Sequence, residues 1–242
     1  YQDISVADIK TGSSKLILGS DGNESSPAFS PDGTTFAYKY SPAPVDWSGP
    51  EQIMVYDIKS GKATPLKSTP NENGEIIGWT ADGKNIILQE ANKTLSAVYL
   101  LSADGSSISE WNQNENSYLT SASLNNRSTY ISFLLQSPAS LPQLYISPVA
   151  KYAPLKITSL NAEMADKPLP KTEVIRWKGA DGKEIEGLLT YPLNYKPGMK
   201  VPLLLNVHGG PAGVFSQTCV ASNAGTYPIA SFAEMGYAVL RP

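Results

Sequence analysis

Hydrophobic and polar residues alternate in short runs over the first two-thirds of the chain. In Thr34-Thr-Phe-Ala-Tyr-Lys-Tyr40, Phe36, Tyr38 and Tyr40 share one face while Ala37 and Lys39 take the other, the period-two signature of a strand. Lys84-Asn-Ile-Ile-Leu-Gln89 and Ser128-Thr-Tyr-Ile-Ser-Phe-Leu134 read the same way. Each run follows a turn segment: Pro27-Ala-Phe-Ser-Pro-Asp-Gly33, Gly78-Trp-Thr-Ala-Asp-Gly83 and Ala122-Ser-Leu-Asn-Asn-Arg127. Aligning Asp32, Asp82 and Asn126 gives spacings of 50 and 44 residues, the period of propeller blades. The strand pairs that follow repeat as well: Ile4-Ser-Val-Ala-Asp-Ile-Lys-Thr-Gly12 matches Ile53-Met-Val-Tyr-Asp-Ile-Lys-Ser-Gly61, with weaker copies at 97–105 and 143–147. Asp-Gly and Lys-Ser-Gly supply the positive φ that tight hairpins need. Four strands per unit predict the back half of one blade and then three more, within residues 1–160. A closed ring needs at least four blades, so a longer protein is expected. The aromatic residues Phe36, Trp79, Trp111 and Tyr130 are expected in the core.

The pattern changes at 161–171, where two prolines and several charges read as a linker. Beyond it, 172–242 reads as a different unit. Thr172–Trp177 and Glu184–Tyr191 are strands joined by the Gly179-Ala-Asp-Gly182 turn. Val201-Pro-Leu-Leu-Leu-Asn-Val207 is a continuous apolar run, as expected of a central parallel strand covered on both faces. Tyr227–Met235 reads as a helix with Ile229, Phe232, Ala233 and Met235 along one stripe and Gly236 closing it. Tyr237–Leu240 is the next strand. Strand, crossover helix and parallel strand make an α/β unit.

The candidate chemistry sits where the apolar run ends, at His208-Gly209-Gly210-Pro211. Two glycines after a buried strand let backbone N–H groups face a ligand, and an HGG-type loop in α/β-hydrolases furnishes part of the oxyanion hole. Gly209 and Gly210 are the candidate donors, Gly210 slightly favoured. A Gly-Gly-Pro turn merely leaving a strand is the plainer alternative. His208, the only histidine, precedes the positions where a triad would fall, so it is read as shaping the loop. No G-x-S-x-G occurs in these residues, so the nucleophile is expected downstream.

Composition narrows the partners. The net charge of −3 gives no footprint for nucleic acid, and no apolar stretch reaches membrane-spanning length. One histidine and one cysteine, Cys219, cannot build a zinc site, and no phosphate loop is present, so neither metal nor cofactor is expected. Cys219 is expected to be a buried structural thiol. Compartment and oligomeric state are left open, a homo-oligomer included. Asn-x-Ser/Thr triplets at Asn23, Asn92 and Asn126 do not decide the compartment.

Together, the repeats, the linker, Trp177, Asp181-Gly182, Gly187-Leu-Leu-Thr-Tyr-Pro192, Pro202-Leu-Leu-Leu-Asn-Val-His-Gly-Gly-Pro-Ala-Gly213 and Gly236-Tyr-Ala-Val-Leu-Arg-Pro242 resemble the prolyl oligopeptidase family. The HGGP form is most similar to its acylaminoacyl-peptidase and dipeptidyl-peptidase-like branch. The resemblance implies a partial β-propeller of WD40-like blades followed by the start of an α/β-hydrolase domain. It also implies a serine peptidase acting on peptide substrates, with the propeller gating access. The backbone amides after His208 would then serve the oxyanion, because the tyrosine that some branches place at that position is absent. By itself the 242-residue chain is expected to be inactive. An HGG-loop esterase and a protein-binding propeller with a degenerate α/β appendage are the alternatives.

Overall fold

A computed structural model describes all residues except 47, 114, 165, 211–212 and 222–226. The chain is almost entirely β-structure. Strands β1 (Ile4–Ala7) and β2 (Ser14–Leu18) form a two-stranded hairpin sheet. Three four-stranded antiparallel meanders follow in chain order. They are β3 (Asn23–Phe29) to β6 (Lys62–Pro65), β7 (Glu75–Trp79) to β10 (Ile108–Glu110), and β11 (Tyr118–Leu124) to β14 (Leu155–Lys156). Within them lie β4 (Thr35–Ser41), β5 (Gln52–Asp57), β8 (Asn85–Asn92), β9 (Leu95–Ser102), β12 (Tyr130–Ser137) and β13 (Ser140–Pro148).

The sheets stack face to face, and alternation along each middle strand explains why. On β4, Phe36 and Tyr38 pack towards Ile4 of the first sheet, while Ala37 joins Trp79, Ile86 and Leu88 of the next. On β8, Ile86 and Leu88 face backwards and Ile87 faces forwards, onto Trp111, Ile131 and Phe133. Both faces of these strands are therefore apolar, and each sheet is sealed by its neighbours. The indole N–H groups of Trp79 and Trp111 cross these seams, donating to the carbonyls of Ala28 and Val149 at 2.8 Å each. This sequential stacking of meanders is consistent with propeller blades. Phe36, Trp79 and Trp111 are buried as expected, but Tyr130 is exposed, because it opens β12 beside the turn rather than lying between sheets.

The hairpin turns repeat with one correction. Ser30 and Thr80 open turns in which Asp32 and Asp82 accept the Thr34 and Lys84 amides, with Gly33 and Gly83 at positive φ. In the third meander Asn125 opens the turn and Ser128 takes the left-handed position, so Asn126 does not align with Asp32 and Asp82. Arg127 thus stands where Asp32 and Asp82 do. The Asn125 side-chain oxygen instead takes the amides of Thr129 and Tyr130, which is why the sequence register slips by one residue there.

Residues 162–164 make one 3₁₀ turn, and a mixed sheet follows. Its strands β15 (Thr172–Lys178), β16 (Glu184–Thr190), β17 (Leu203–Leu205) and β18 (Ala238–Arg241) are ordered β15-β16-β18-β17. Strands β15, β16 and β18 pair antiparallel, whereas β17 and β18 are parallel and linked through helix α1 (Ile229–Glu234). The expected central strand is shorter than its apolar run and lies at the sheet edge. Leu203, Leu205 and Val207 are exposed, because none of the described residues covers that face. The helix also spans only six residues. Ile229 and Ala233 are buried with Val220 and Val239, but Met235 points into solvent.

Candidate functional site

Strand β17 ends at Leu205, and the chain continues through Asn206 and Val207 into His208, Gly209 and Gly210. Gly209 and Gly210 are both exposed, and no described residue accepts a hydrogen bond from either amide. Pro211 lies outside the described residues. Gly210 has φ +142°, a conformation that a side chain would strain. Gly209 has no such restriction, and a Cβ there would meet open space.

The loop is folded back on itself by Gly213. A Cβ on Gly213 would lie 2.5 Å from the Gly209 carbonyl oxygen and 2.8 Å from His208 Nδ1. His208 Nδ1 is 3.1 Å from that same carbonyl, and its ring meets Phe215 edge-on at 5.7 Å. His208 packs against the loop through the Gly209 carbonyl and Phe215 and touches no carboxylate or hydroxyl nucleophile among the described residues.

Beyond Phe215 the chain is fastened to the blades. The Gln217 amide donates to the Thr94 carbonyl at 2.8 Å, and its side-chain amide donates to Thr94 Oγ1 at 2.9 Å. Thr94, in the turn between β8 and β9, donates its hydroxyl to Glu186 at 2.6 Å. Arg176 holds the other Glu186 oxygen at 2.8 Å. Burial would raise the Glu186 carboxyl, but the bonds from Thr94 and Arg176 outweigh it and hold the group below its ordinary value. The Cys219 amide donates to Gln136 Oε1 at 3.0 Å, and Cys219 is buried as expected.

Between this loop and the blades lies an open cavity of about 640 Å³. Gly210 and Gly213 line one side, and Lys39, Asp46, Glu51 and Glu75 line the other. Lys39 is nearly buried on β4 and bonds both Glu51 and Glu75, the latter at 2.8 Å. Desolvation would lower the Lys39 ammonium, but the two carboxylates more than compensate and its pKa is raised. Three carboxylates against one ammonium leave the wall acidic. This cluster is not visible in the sequence, because Glu51 reaches Lys39 across the β4–β5 hairpin and Glu75 reaches it only when the next sheet stacks on the first. Among the described residues no group of three or more His, Cys, Asp or Glu side chains is placed to hold a metal.

No family model matches the chain. It is 24% identical to dipeptidyl-peptidase 5 of Porphyromonas gingivalis over 243 residues, covering 99% of this chain and 34% of that protein. It is 25% identical to a probable dipeptidyl-peptidase 5 of Emericella nidulans, covering 93% and 31%. These relatives support the resemblance to prolyl oligopeptidase-family peptidases. It spans about a third of the length of these curated relatives. Among solved structures, the fold is similar to P. gingivalis dipeptidyl peptidase 4 (TM-score 0.68, 19% identity, 99% of this chain and 34% of that one). It is also similar to a puromycin-hydrolysing peptidase of Mycobacterium tuberculosis (TM-score 0.68, 15% identity, 99% and 36%).

Proposed function

We propose that this chain is the gating and oxyanion-binding portion of a serine peptidase that acts on short peptides through an acyl-enzyme. In this reading residues 1–160 form part of a propeller, 161–171 a linker, and 172–242 the opening of an α/β-hydrolase domain. The strand order β15-β16-β18-β17, with its parallel pair joined through α1, supports the last assignment. The observation that carries the proposal is the state of Gly209 and Gly210. Their amides have no described acceptor, and Gly210 borders a cavity. An amide in that state can meet the negative oxygen that develops on a peptide carbonyl under attack, without first breaking a bond of its own. The nucleophile, its base and the acid that orients the base belong to sequence beyond residue 242. His208 supports the loop and takes no proton in the reaction. The acidic wall of Asp46, Glu51 and Glu75 suits the cationic amino end of a peptide whose scissile bond lies at the glycines.

The test uses a protein extended to the length of the dipeptidyl-peptidase relatives. It is expected to cleave chromogenic dipeptidyl substrates and to be blocked by a serine-directed phosphonate, whereas the 242-residue chain alone neither cleaves nor is labelled. Acetylating the substrate's amino terminus is expected to lower kcat/KM, and more so in wild type than in Glu51→Gln. Cleavage of simple esters with no action on peptides would favour an esterase. Absence of any serine labelling in the extended protein would remove the catalytic reading altogether.

A further inference from the structure

Arg241 is the last residue of β18 and is almost wholly buried. Its Nε and one of its terminal nitrogens, Nη2, are shut off from solvent and have no hydrogen-bond partner among the described residues. A guanidinium does not escape such burial by losing its proton at physiological pH. An unpaired buried charge costs several kcal/mol unless an anion joins it. Among the described residues the cationic group lies over the Phe215 ring, 5.7 Å from its centroid. A ring face of this kind offsets only a small part of that cost. Two parallel donors are therefore held in place with nothing to receive them.

The location adds a second argument. Strands β17 and β18 are parallel, and Arg241 lies at the carboxyl end of β18, the end where ligands collect in open α/β sheets. The carboxyl end of β17 runs into His208 and the glycines. Phe215 joins the two features, with one contact to His208 and one to Arg241. We infer that Arg241 is a carboxylate receptor: its Nε–H and Nη2–H form a two-pronged site, capped by Phe215, beside the glycine loop. A planar fork of donors matches the two oxygens of a carboxylate better than any single-atom anion. The carboxylate could come from an Asp or Glu side chain in downstream sequence or from a peptide ligand, and the two sources are separable. The inference does not depend on the peptidase reading.

The experiment titrates the 242-residue chain with sodium acetate, using acetamide and sodium chloride at matched concentration as controls. Acetate is expected to raise Tm along a saturating curve and to move the Arg241 Nε–H resonance downfield, while the controls do neither. In Arg241→Met the acetate-specific rise in Tm is expected to vanish. If that variant does not fold, the Nε–H resonance of the wild-type chain, identified by its loss in Arg241→Lys, still decides. The same titration on the extended protein then assigns the source. An Nε–H already downfield and unresponsive to acetate means the protein's own carboxylate fills the site. A retained response means the site is open to ligand. An equal effect of acetamide or chloride, no acetate response in the 242-residue chain, or an unchanged response in Arg241→Met would overturn the inference.

Discussion

Single residues set the shape of the glycine loop, and the three glycines are not equivalent. Gly213 is where a side chain has no room, since its Cβ would press on the Gly209 carbonyl. Gly213→Ala is expected to cost about 1–3 kcal/mol, read from the midpoint of urea unfolding. Gly209→Ala meets open space and is expected to change stability by no more than about 0.5 kcal/mol. In the extended protein, Gly210→Val keeps the backbone N–H but cannot hold φ +142°, so the amide is displaced and kcat is expected to fall by up to about 10²–10³-fold, the usual loss when an oxyanion donor is lost. Near-native circular dichroism would show that the fold survives. Wild-type turnover in that variant would take Gly210 out of the mechanism. The His208-Gly209-Gly210 motif was legible because its chemistry is contiguous in the chain. Gly213 was visible only as part of a family-like run, and its role depends on a fold-back that spacing does not encode. The acidic wall was not legible at all, because Glu51 meets Lys39 only through the register of the β4–β5 hairpin and Glu75 only through sheet stacking. Their ion pairs also differ in weight. The Glu75 side chain is 71% exposed, so its pair with Lys39 is worth at most about 1 kcal/mol, whereas Glu51, at 20%, is the stronger partner. Glu51→Gln is therefore expected to destabilise the chain more than Glu75→Gln in paired urea titrations.

Among the elements, the hairpins were the most readable. Asp-Gly punctuation and period-two alternation located the blades because each turn draws on its own local sequence for its hydrogen bonds. The exception, at Asn125, shows the limit: a side chain two residues earlier can cap the same turn, and alignment by residue type then slips. The β8–β9 turn does more than reverse the chain. Through Thr94 it binds both Glu186 on β16 and Gln217 beyond the glycine loop, fastening the mixed sheet to the blades. The Glu186 carboxyl is held below its ordinary value of 4.5, so the unfolded state binds the proton more tightly. Its contribution to stability is complete above that value and is lost as pH falls through the lower, folded pKa. Wild type is therefore expected to lose more stability than Glu186→Gln between neutral pH and strongly acid conditions, measured by Tm at each pH. Parallel curves for the two would detach Glu186 from the fastening.

At the scale of the whole molecule, the stacking of one half-sheet and three full meanders followed directly from the repeat. The mixed sheet was harder to foresee. An apolar run tells that a strand wants cover, but which neighbour supplies it is a matter of tertiary arrangement. Here the run Leu203-Leu-Leu205 lies along a margin, with no strand among the described residues pairing its outer side and Leu203 and Leu205 facing water. A margin of that kind invites addition of a strand from a like molecule, and in concentrated solution copies should knit together through it. Sedimentation of the 242-residue chain is expected to show mass growing with concentration, and a single Leu205→Lys should hold it back by placing a charge in the seam. Handling this polypeptide in the laboratory thus becomes a question of fibre and precipitate, governed by the two outward leucines, Leu203 and Leu205, rather than by the glycines beside them.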